Sequence, residues 1–180
     1  MIKKNAGVTI IELGWDDLLG TYHIYLSAYN EVKKNPDFND VIGKTKVPLT
    51  EHIDAFAKVF KEVMNKETVF CIAKMKNEAI GQCYVRQYGG PGVETSHVGV
   101  LRIFIKKEAR GKGVGKKLIN AVITRCRGKF DLLELDVVSK NDPAIGLYKK
   151  LGFKTWGVAP SFFKRNGKYK SLEHMYLKLK

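Results

Sequence analysis

The sequence predicts a single domain of the mixed α/β (α+β) class, with about seven strands and about four helices around one core. Three observations favour this fold class. The 180 residues, 44% of them hydrophobic, are enough to bury one substantial core and too few for two. Strand-like and helical patterns of apolar residues alternate along the chain. The sequence has no internal repeats or low-complexity stretches, so the elements should pack as one mixed unit.

The first half of the chain predicts three strands and two helices. Asp16 is the expected N-cap of the first helix, which should stop before Pro36 because the residue that precedes a proline disfavours the helical region. The second and third strands should form a hairpin that brings Cys71 close to Cys83. The expected strands are 8–13, 68–74 and 79–87, and the expected helices are 17–32 and 50–65.

The second half predicts four strands and two helices. Pro143 should lie in the first turn of the last helix, where proline is tolerated, and Gly152 should end that helix. Asn166 and Gly167 predict a two-residue hairpin turn because both accept positive φ. The expected strands are 98–105, 132–138, 153–165 and 168–179, and the expected helices are 113–128 and 142–151. The expected buried face of helix 113–128 consists of Val114, Leu118, Ile119, Val122, Ile123 and Cys126.

Cysteine usage and hydropathy bear on metal content and location. Cys71, Cys83 and Cys126 are odd in number and lack CxxC spacing, which argues against a disulfide framework and against a zinc site. We therefore expect packed thiols and no metal. The chain lacks the apolar run of a secretion signal and the roughly 18 consecutive apolar residues of a membrane span. A cytoplasmic location and no membrane partner are expected.

The formal charge of +14 and the pI near 9.7 are typical of a protein whose partner is a nucleic acid, an anionic membrane surface or an anionic ligand. The charge is concentrated in one half of the chain. Residues 1–90 hold 12 basic residues against 11 acidic ones, whereas residues 91–180 hold 20 against 7. The positive field therefore belongs to the second half.

A glycine-rich segment, RGKGVG at residues 110–115, separates an apolar strand from an amphipathic helix in that half. At such a helix start, bare backbone N–H groups and the helix dipole can hold phosphate oxygens, and Arg110, Lys112, Lys116 and Lys117 add positive charge. The spacing is wrong for a Walker loop, and Lys116 stands where the third glycine of a dinucleotide GxGxxG belongs. The segment predicts a pyrophosphate site of another kind.

Two motifs together resemble the GNAT superfamily of N-acetyltransferases. The pattern RxxGxG after an apolar strand is similar to the acyl-CoA loop of that family, with Arg110, Gly113 and Gly115 on the motif positions. Downstream, NDPAIGLYKKLGF at residues 141–153 resembles the family's segment in which an asparagine precedes a helix that carries a tyrosine. The two motifs cover about residues 98–153, and the flanking strand order also fits.

The resemblance implies a central mixed, mostly antiparallel, twisted sheet whose fourth and fifth strands splay apart. The pantetheine arm of acetyl-CoA would lie in that gap, with its pyrophosphate on the RGKGVG turn. Residues 1–180 would form one domain, divided into an N-terminal part over 1–66 on the acceptor side, an acyl-CoA-binding core over 97–153 and a C-terminal hairpin over 153–180.

The resemblance also implies an acetyl-CoA-dependent N-acetyltransferase that acts on a primary amine, on a small molecule or on a protein N-terminus or lysine, by direct attack in a ternary complex. Tyr148 would be the general acid for the leaving thiolate, and Asn141 a partner of the pantetheine. The implied cofactor-binding residues are Ile103, Phe104, Ile105, Arg110, Gly111, Lys112, Gly113, Val114, Gly115, Lys116, Asn141 and Tyr148.

The general base is left open by the sequence, because Val100 stands where many family members carry a glutamate on the fourth strand. Glu94 and His97 lie just upstream and are the first candidates, either directly or through water. Glu173 and His174 on the last strand are further candidates, and a mechanism without a dedicated base stays open.

Partners other than acetyl-CoA and an amine also stay open. The basic, aromatic segment 162–170 would suit RNA, although an ordinary hairpin tip is preferred. The alternative to an enzyme is a silent acyl-CoA-binding module or a basic adaptor for RNA or the ribosome. A homodimer is a possible assembly. A polyamine acceptor would need a locally acidic pocket, for which the first half offers Asp37, Asp40, Glu51 and Asp54.

Overall fold

A computed structural model describes residues 7–34, 45–89 and 92–179. In these residues, seven strands form one sheet in the order β1-β2-β3-β4-β5-β7-β6, and only the β4–β5 pair is parallel. The predicted mixed, mostly antiparallel sheet is confirmed. The strands are β1 (Val8–Glu12), β2 (Thr68–Met75), β3 (Glu78–Gln87), β4 (Val98–Ile105), β5 (Leu132–Val138), β6 (Lys154–Arg165) and β7 (Lys168–Lys178).

Four helices in the described part of the chain cover the two faces of the sheet: α1 (Leu18–Lys34), α2 (Leu49–Met64), α3 (Val114–Cys126) and α4 (Asp142–Lys150). Helices α1 and α2 lie on one face over a cluster that includes Ile24, Phe56 and Phe70. Helices α3 and α4 lie on the other face over the larger cluster. All six residues expected on the buried side of α3 are buried, which confirms the predicted periodicity.

The start of α1 differs from the prediction. A short 3-10 turn over Trp15–Asp17 precedes the helix, and the N–H of Gly14 donates to Asp17 Oδ2 at 2.9 Å. Asp17 is 4% exposed and forms an ion pair of 2.6 Å with Lys74 on β2. The expectation that Asp16 caps the helix is therefore wrong, because the side chain of its neighbour closes the turn and is also held by the sheet.

The splay between β4 and β5 is present. Only Val98, Gly99 and Val100 of β4 pair with β5, and the rest of β4 pairs with β3 alone. Gly99 makes the close approach possible, since a Cβ there would collide with Val85 and would lie 2.9 Å from Leu133. The two strands are thus tied at the start of β4 and separate toward its end, where the glycine-rich segment follows.

The three cysteines are buried free thiols, as expected, and Cys71 lies directly opposite Cys83 in the β2–β3 pair. None of the helices over 7–34, 45–89 and 92–179 is both long and apolar enough to cross a membrane. The expected helix stop at Pro36 and the acidic candidates Asp37 and Asp40 lie outside the described residues.

Candidate active site

The RGKGVG segment forms an open turn at the N-terminus of α3. Gly111 and Gly113 have φ values of 69° and 79°, which favour glycine, and Gly113 is the N-cap. The first helical hydrogen bond runs from the N–H of Lys117 to the carbonyl of Gly113 at 3.1 Å, so the amides of residues 113–116 precede it. A Cβ at Gly111 or Gly113 would meet no atom within 4 Å. The turn therefore presents backbone donors to an open space that can admit a phosphate group.

Gly115 has a packing role that the motif does not reveal. A Cβ at this position would lie 3.0 Å from Leu147 of α4 and 3.1 Å from Ile105 of β4. The absence of a side chain lets α3 approach both elements, and Val114 beside it is buried. These contacts fix the direction in which the first amides of α3 point.

Lysines surround the turn. Lys116 and Lys117 are exposed on the first turn of α3, and Lys112 Nζ donates to the carbonyl of Glu108 at 2.7 Å. Lys106, by contrast, is 7% exposed and forms an ion pair of 2.7 Å with Glu78. The exposed ammonium groups make the surface of the turn positive, which favours a polyanionic ligand.

Arg110 does not extend freely toward this surface. Its Nε donates to the carbonyl of Ile105 at 2.9 Å, and its two terminal nitrogens donate to the two carboxylate oxygens of Glu31 on α1, each at 2.7 Å. The guanidinium also lies 5.5 Å from the centre of the Phe104 ring. Arg110 thus joins the turn, the end of β4 and helix α1, and its charge is matched within the protein.

The free edge of β4 faces the gap. The N–H of Lys106 bonds to Ile80 and the N–H of Tyr88 bonds to Val98, so the even-numbered residues of β4 direct their backbone groups at β3. The odd-numbered residues, including Ile103 and Ile105, direct theirs at the gap. Phe104 has its amide toward β3 and its side chain in the α1–α2 cluster, which makes it a wall of the site rather than a donor.

Helix α4 begins beside the end of β5. Asn141 is its N-cap, with Oδ1 accepting from the N–H of Ala144 at 3.4 Å and its own N–H donating to Val138 at 2.8 Å. Tyr148, about two turns further on, is 7% exposed and packs edge to face on Phe153 at 5.8 Å between ring centres. The ring of Tyr148 is held rigidly in the larger core cluster.

Glu94 and His97 lie at the other end of β4. Both are exposed in the turn that precedes the strand, and His97 Nδ1 is 3.1 Å from the carbonyl oxygen of Glu94. Val98, the next residue, is already in the paired part of β4. The three paired residues of β4, about 10 Å of strand, separate His97 from the point where the gap opens. The structure brings neither residue into the opened part of the gap.

Arg102, Asp136 and His174 form a charged cluster at the point where β4 and β5 part, which the sequence did not predict. His174 Nδ1 is 2.7 Å from Asp136 Oδ1, and Arg102 reaches the second oxygen of Asp136 at 3.5 Å. His174 and Glu173 were both candidates in the sequence, but Asp136 and Arg102 lie 38 and 34 residues from their partners and have no motif. Glu173 instead accepts a hydrogen bond from Thr155 at 3.2 Å.

Comparison with known proteins gives the family. Residues 21–153 match the sequence model of the Acetyltransferase (GNAT) family. The chain belongs to this family. The opened strand pair and the glycine turn of this GNAT protein thus stand where the family resemblance implied them.

The relatives of this GNAT protein include the L-amino acid N-acetyltransferase AaaT of Escherichia coli K12, which is 30% identical over 112 residues, 61% of this chain and 66% of that protein. A putative [ribosomal protein bS18]-alanine N-acetyltransferase of Bacillus subtilis is 33% identical over 81 residues, 44% of this chain and 54% of that protein. The chain therefore spans about half to two thirds of the length of these relatives.

The solved structure of yncA, a putative acetyltransferase from Salmonella typhimurium with acetyl-CoA, superposes with a TM-score of 0.83 at 17% identity, over 96% of this chain and 94% of that one. At this identity the likeness shows the fold. It extends through the N-terminal helices and the C-terminal hairpin, beyond the residues that the family model matches.

On the α1–α2 side of the sheet, this GNAT protein has a cavity of about 150 Å³. Thr21 Oγ1 lies 3.0 Å from His52 Nε2 at its polar end, and burial lowers the pKa of His52, so its ring is neutral near pH 7. Gln82 Oε1 is buried without a hydrogen-bond partner among the described residues. The cavity is lined by Thr21, His52, Ala55, Phe56, Val59, Phe70, Gln82, Tyr84 and Arg86.

The described residues contain no group of three His, Cys, Asp or Glu side chains that could hold a metal ion.

Proposed function

We propose that this protein transfers an acetyl group from acetyl-CoA to a primary amine by direct attack in a ternary complex. One observation carries the proposal: β4 and β5 are paired for three residues and then separate, and the open glycine turn follows the free end of β4. The gap between the two strands has room for the pantetheine arm of acetyl-CoA, and the glycine turn has room for its phosphates.

The residues present fit acetyl-CoA, which would supply the thioester. The amides of residues 113–116 and the exposed Lys116 and Lys117 suit the pyrophosphate. The gap-facing N–H of Ile105 suits a carbonyl group of the arm, and the N–H of Ile103, nearer to the point where the strands part, suits the thioester carbonyl oxygen. Asn141 lies at the end of β5, on the opposite side of the gap.

Arg110 has a different role in this proposal from the one that its charge predicts. Because its guanidinium is engaged by Glu31 and by the carbonyl of Ile105, it orients the turn rather than neutralising a phosphate. The two contacts set the position of the loop relative to β4 and α1. Arg110 is therefore a positioning residue.

The reaction needs a proton donor for the leaving group. The thiolate of CoA, with a free pKa of about 8.5 if it behaves like a cysteine thiol, leaves more readily when it is protonated. Tyr148 is our candidate donor, because it matches the tyrosine of the family's segment after β5 and its ring is fixed against Phe153. Glu94 and His97 would require a chain of water molecules to act as the base.

The acceptor is proposed to enter from the α1–α2 side, which assigns residues 1–66 to acceptor binding, residues 97–153 to acetyl-CoA and residues 153–180 to the closing hairpin of one domain. The cavity beside Gln82 opens on that side and supports this division. The names of the relatives suggest two acceptor types to test first, a free L-amino acid and the N-terminal alanine of a protein.

A cytoplasmic location is part of the same proposal. The facing thiols of Cys71 and Cys83 are free, which suits a reducing compartment. Phe162 and Tyr169 are exposed at the hairpin tip. RNA binding there would be a separate activity and is not part of this proposal.

The test is thiol release from acetyl-CoA, recorded with a panel of free L-amino acids, polyamines and peptides with N-terminal alanine. We expect release that depends on both protein and amine. Calorimetric binding of acetyl-CoA without thiol release for any amine would favour the silent binding module. Absence of acetyl-CoA binding would overturn the cofactor assignment itself.

A further inference from the structure

Two charged residues flank the point at which β4 and β5 separate. The last pair of the parallel ladder is Val100 with Glu134, and two residues further along each strand stand Arg102 and Asp136. Residues two apart on a strand share a face, and Arg102 lies opposite Tyr84 of the α1–α2 side. The pair therefore crosses the mouth of the gap on the side from which the acceptor is proposed to enter.

His174 completes the cluster from the next strand. It is the direct cross-strand partner of Asp136 in the β5–β7 ladder, and the two side chains are joined at 2.7 Å through Nδ1 and Oδ1. A carboxylate can only accept, so this bond places a proton on Nδ1 and leaves the lone pair of the neutral ring on Nε2. The rings of Trp156 and Phe162 lie 5.4 and 6.4 Å from the imidazole and hold its orientation.

The position along the gap matches the reacting end of the co-substrate. From Ile105, which adjoins the glycine turn, to Leu101 the strand covers about 13 Å, and the arm of acetyl-CoA would extend along this free edge. The thioester is thus expected near the place where the strands meet, beside Arg102 and Asp136. His52, by comparison, has its Nε2 engaged by Thr21.

We propose that His174, oriented by Asp136, is the general base that takes a proton from the acceptor ammonium group. The inference rests on the proposed acetyl transfer. Arg102 is a positioning residue that fixes the second oxygen of Asp136 from the opposite strand. In this proposal the general base comes from β7 and its carboxylate partner from β5, whereas β4 carries Val100 where many family members have a glutamate.

Nε2 of His174 removes one proton from the ammonium group, and the nitrogen lone pair then forms the bond to the thioester carbon. As the carbon–sulfur bond breaks, its electron pair leaves with the sulfur. Tyr148 gives its hydroxyl proton to the thiolate, and the second proton lost by the nitrogen then restores the tyrosine hydroxyl group. The imidazolium of His174 releases its proton to water.

The test compares His174→Gln with His23→Gln, which changes an exposed histidine on α1 that does not line the cavity beside Gln82. We expect His174→Gln to lower kcat/KM for the best amine of the panel about 100-fold or more, with acetyl-CoA affinity within about twofold of wild type. Asp136→Asn should cause a similar loss, because an amide at this place favours the tautomer with the proton on Nε2. His23→Gln should match wild type.

A chemical rescue separates catalysis from structure. His174→Gly opens a space between Trp156 and Phe162, and added imidazole should restore part of the turnover in this variant and in no other. A folded His174→Gln that keeps more than about a third of the wild-type kcat/KM would overturn the assignment, as would a folded His174→Gly that imidazole leaves inactive. A wild-type protein that binds acetyl-CoA without turnover would instead overturn the proposed function.

Discussion

Arg110 and Glu31 form two parallel hydrogen bonds of 2.7 Å, although 79 residues separate them in the sequence. The pair ties the glycine turn to helix α1, so the elements that we propose to bind the two substrates are joined directly. A bidentate pair of this kind has a fixed geometry as well as charge.

Glu31→Gln tests whether Arg110 positions the turn. With the ion pair lost, the turn should be less well ordered, and acetyl-CoA affinity measured by calorimetry should fall about three- to tenfold. The control is Glu12→Gln, which breaks the exposed pair of Glu12 with Arg125 at the far end of α3 and should leave affinity unchanged. Tighter binding by Glu31→Gln would show instead that Arg110 is a direct phosphate ligand restrained by Glu31.

Gly113→Val tests the open space in front of the turn. Gly113 and Gly128 have φ values of 79° and 77°, and a Cβ on either would meet no atom within 4 Å, but Gly128 lies just beyond the C-terminal end of α3. Valine at either position should cost about 1–2 kcal/mol of stability because of the left-handed backbone. Only Gly113→Val should weaken acetyl-CoA binding, by about tenfold or more. Equal affinity of the two variants would remove the turn from the phosphate site.

Tyr148→Phe tests the proton donor. The phenylalanine ring keeps the contact with Phe153, so we expect the thermal midpoint and acetyl-CoA affinity to change little. Turnover should fall about 100-fold, the lower end of the range for general acid catalysis. Tyr88→Phe, at an exposed tyrosine, is the matched control. If kcat of Tyr148→Phe equals that of the wild type, the thiolate is protonated by another group.

The thiols predict a loss of stability at alkaline pH. Burial raises the pKa of Cys71 to about 11 and that of Cys126 to about 12, and it also raises the pKa of Cys83 well above its ordinary value. Above about pH 9 the unfolded chain loses these protons and the folded chain keeps them, so the free energy of unfolding should fall by about 1.4 kcal/mol per pH unit for each thiol.

Urea unfolding of the wild type and of Cys126→Ala, at about pH 8 and about pH 10, checks this prediction. The variant should be less stable at the lower pH because of the cavity, and its stability should decline less between the two values. A parallel decline in both proteins would mean that the Cys126 thiol is not protonated selectively in the folded state.

Local patterns predicted the elements well. The bounds 98–105 and 132–138 match β4 and β5 because apolar residues predominate in both strands and clear turn signals flank them. The buried face of α3 followed from its period. The glycine turn was recognisable because its glycines and basic residues lie within one short segment.

Contacts between distant segments were not predictable. The sequence predicts Arg110 as a cofactor-binding residue, and nothing near it indicates that Glu31 lies within reach. The Asp136–His174 pair depends on the register of β7, which inserts between β5 and β6 and is set by the whole hairpin. Glu94 and His97 were favoured by their nearness in sequence to β4, but the strand runs away from them before the gap opens.

The most direct test of acetyl transfer is to quantify both products in one reaction. The protein is mixed with acetyl-CoA and the amine panel, free CoA is measured by thiol release, and the acetylated amine is measured by mass spectrometry. We expect the two to form in equal amounts with at least one amine, and to require the protein. Protein that binds acetyl-CoA but forms neither product above background with any amine would contradict the account.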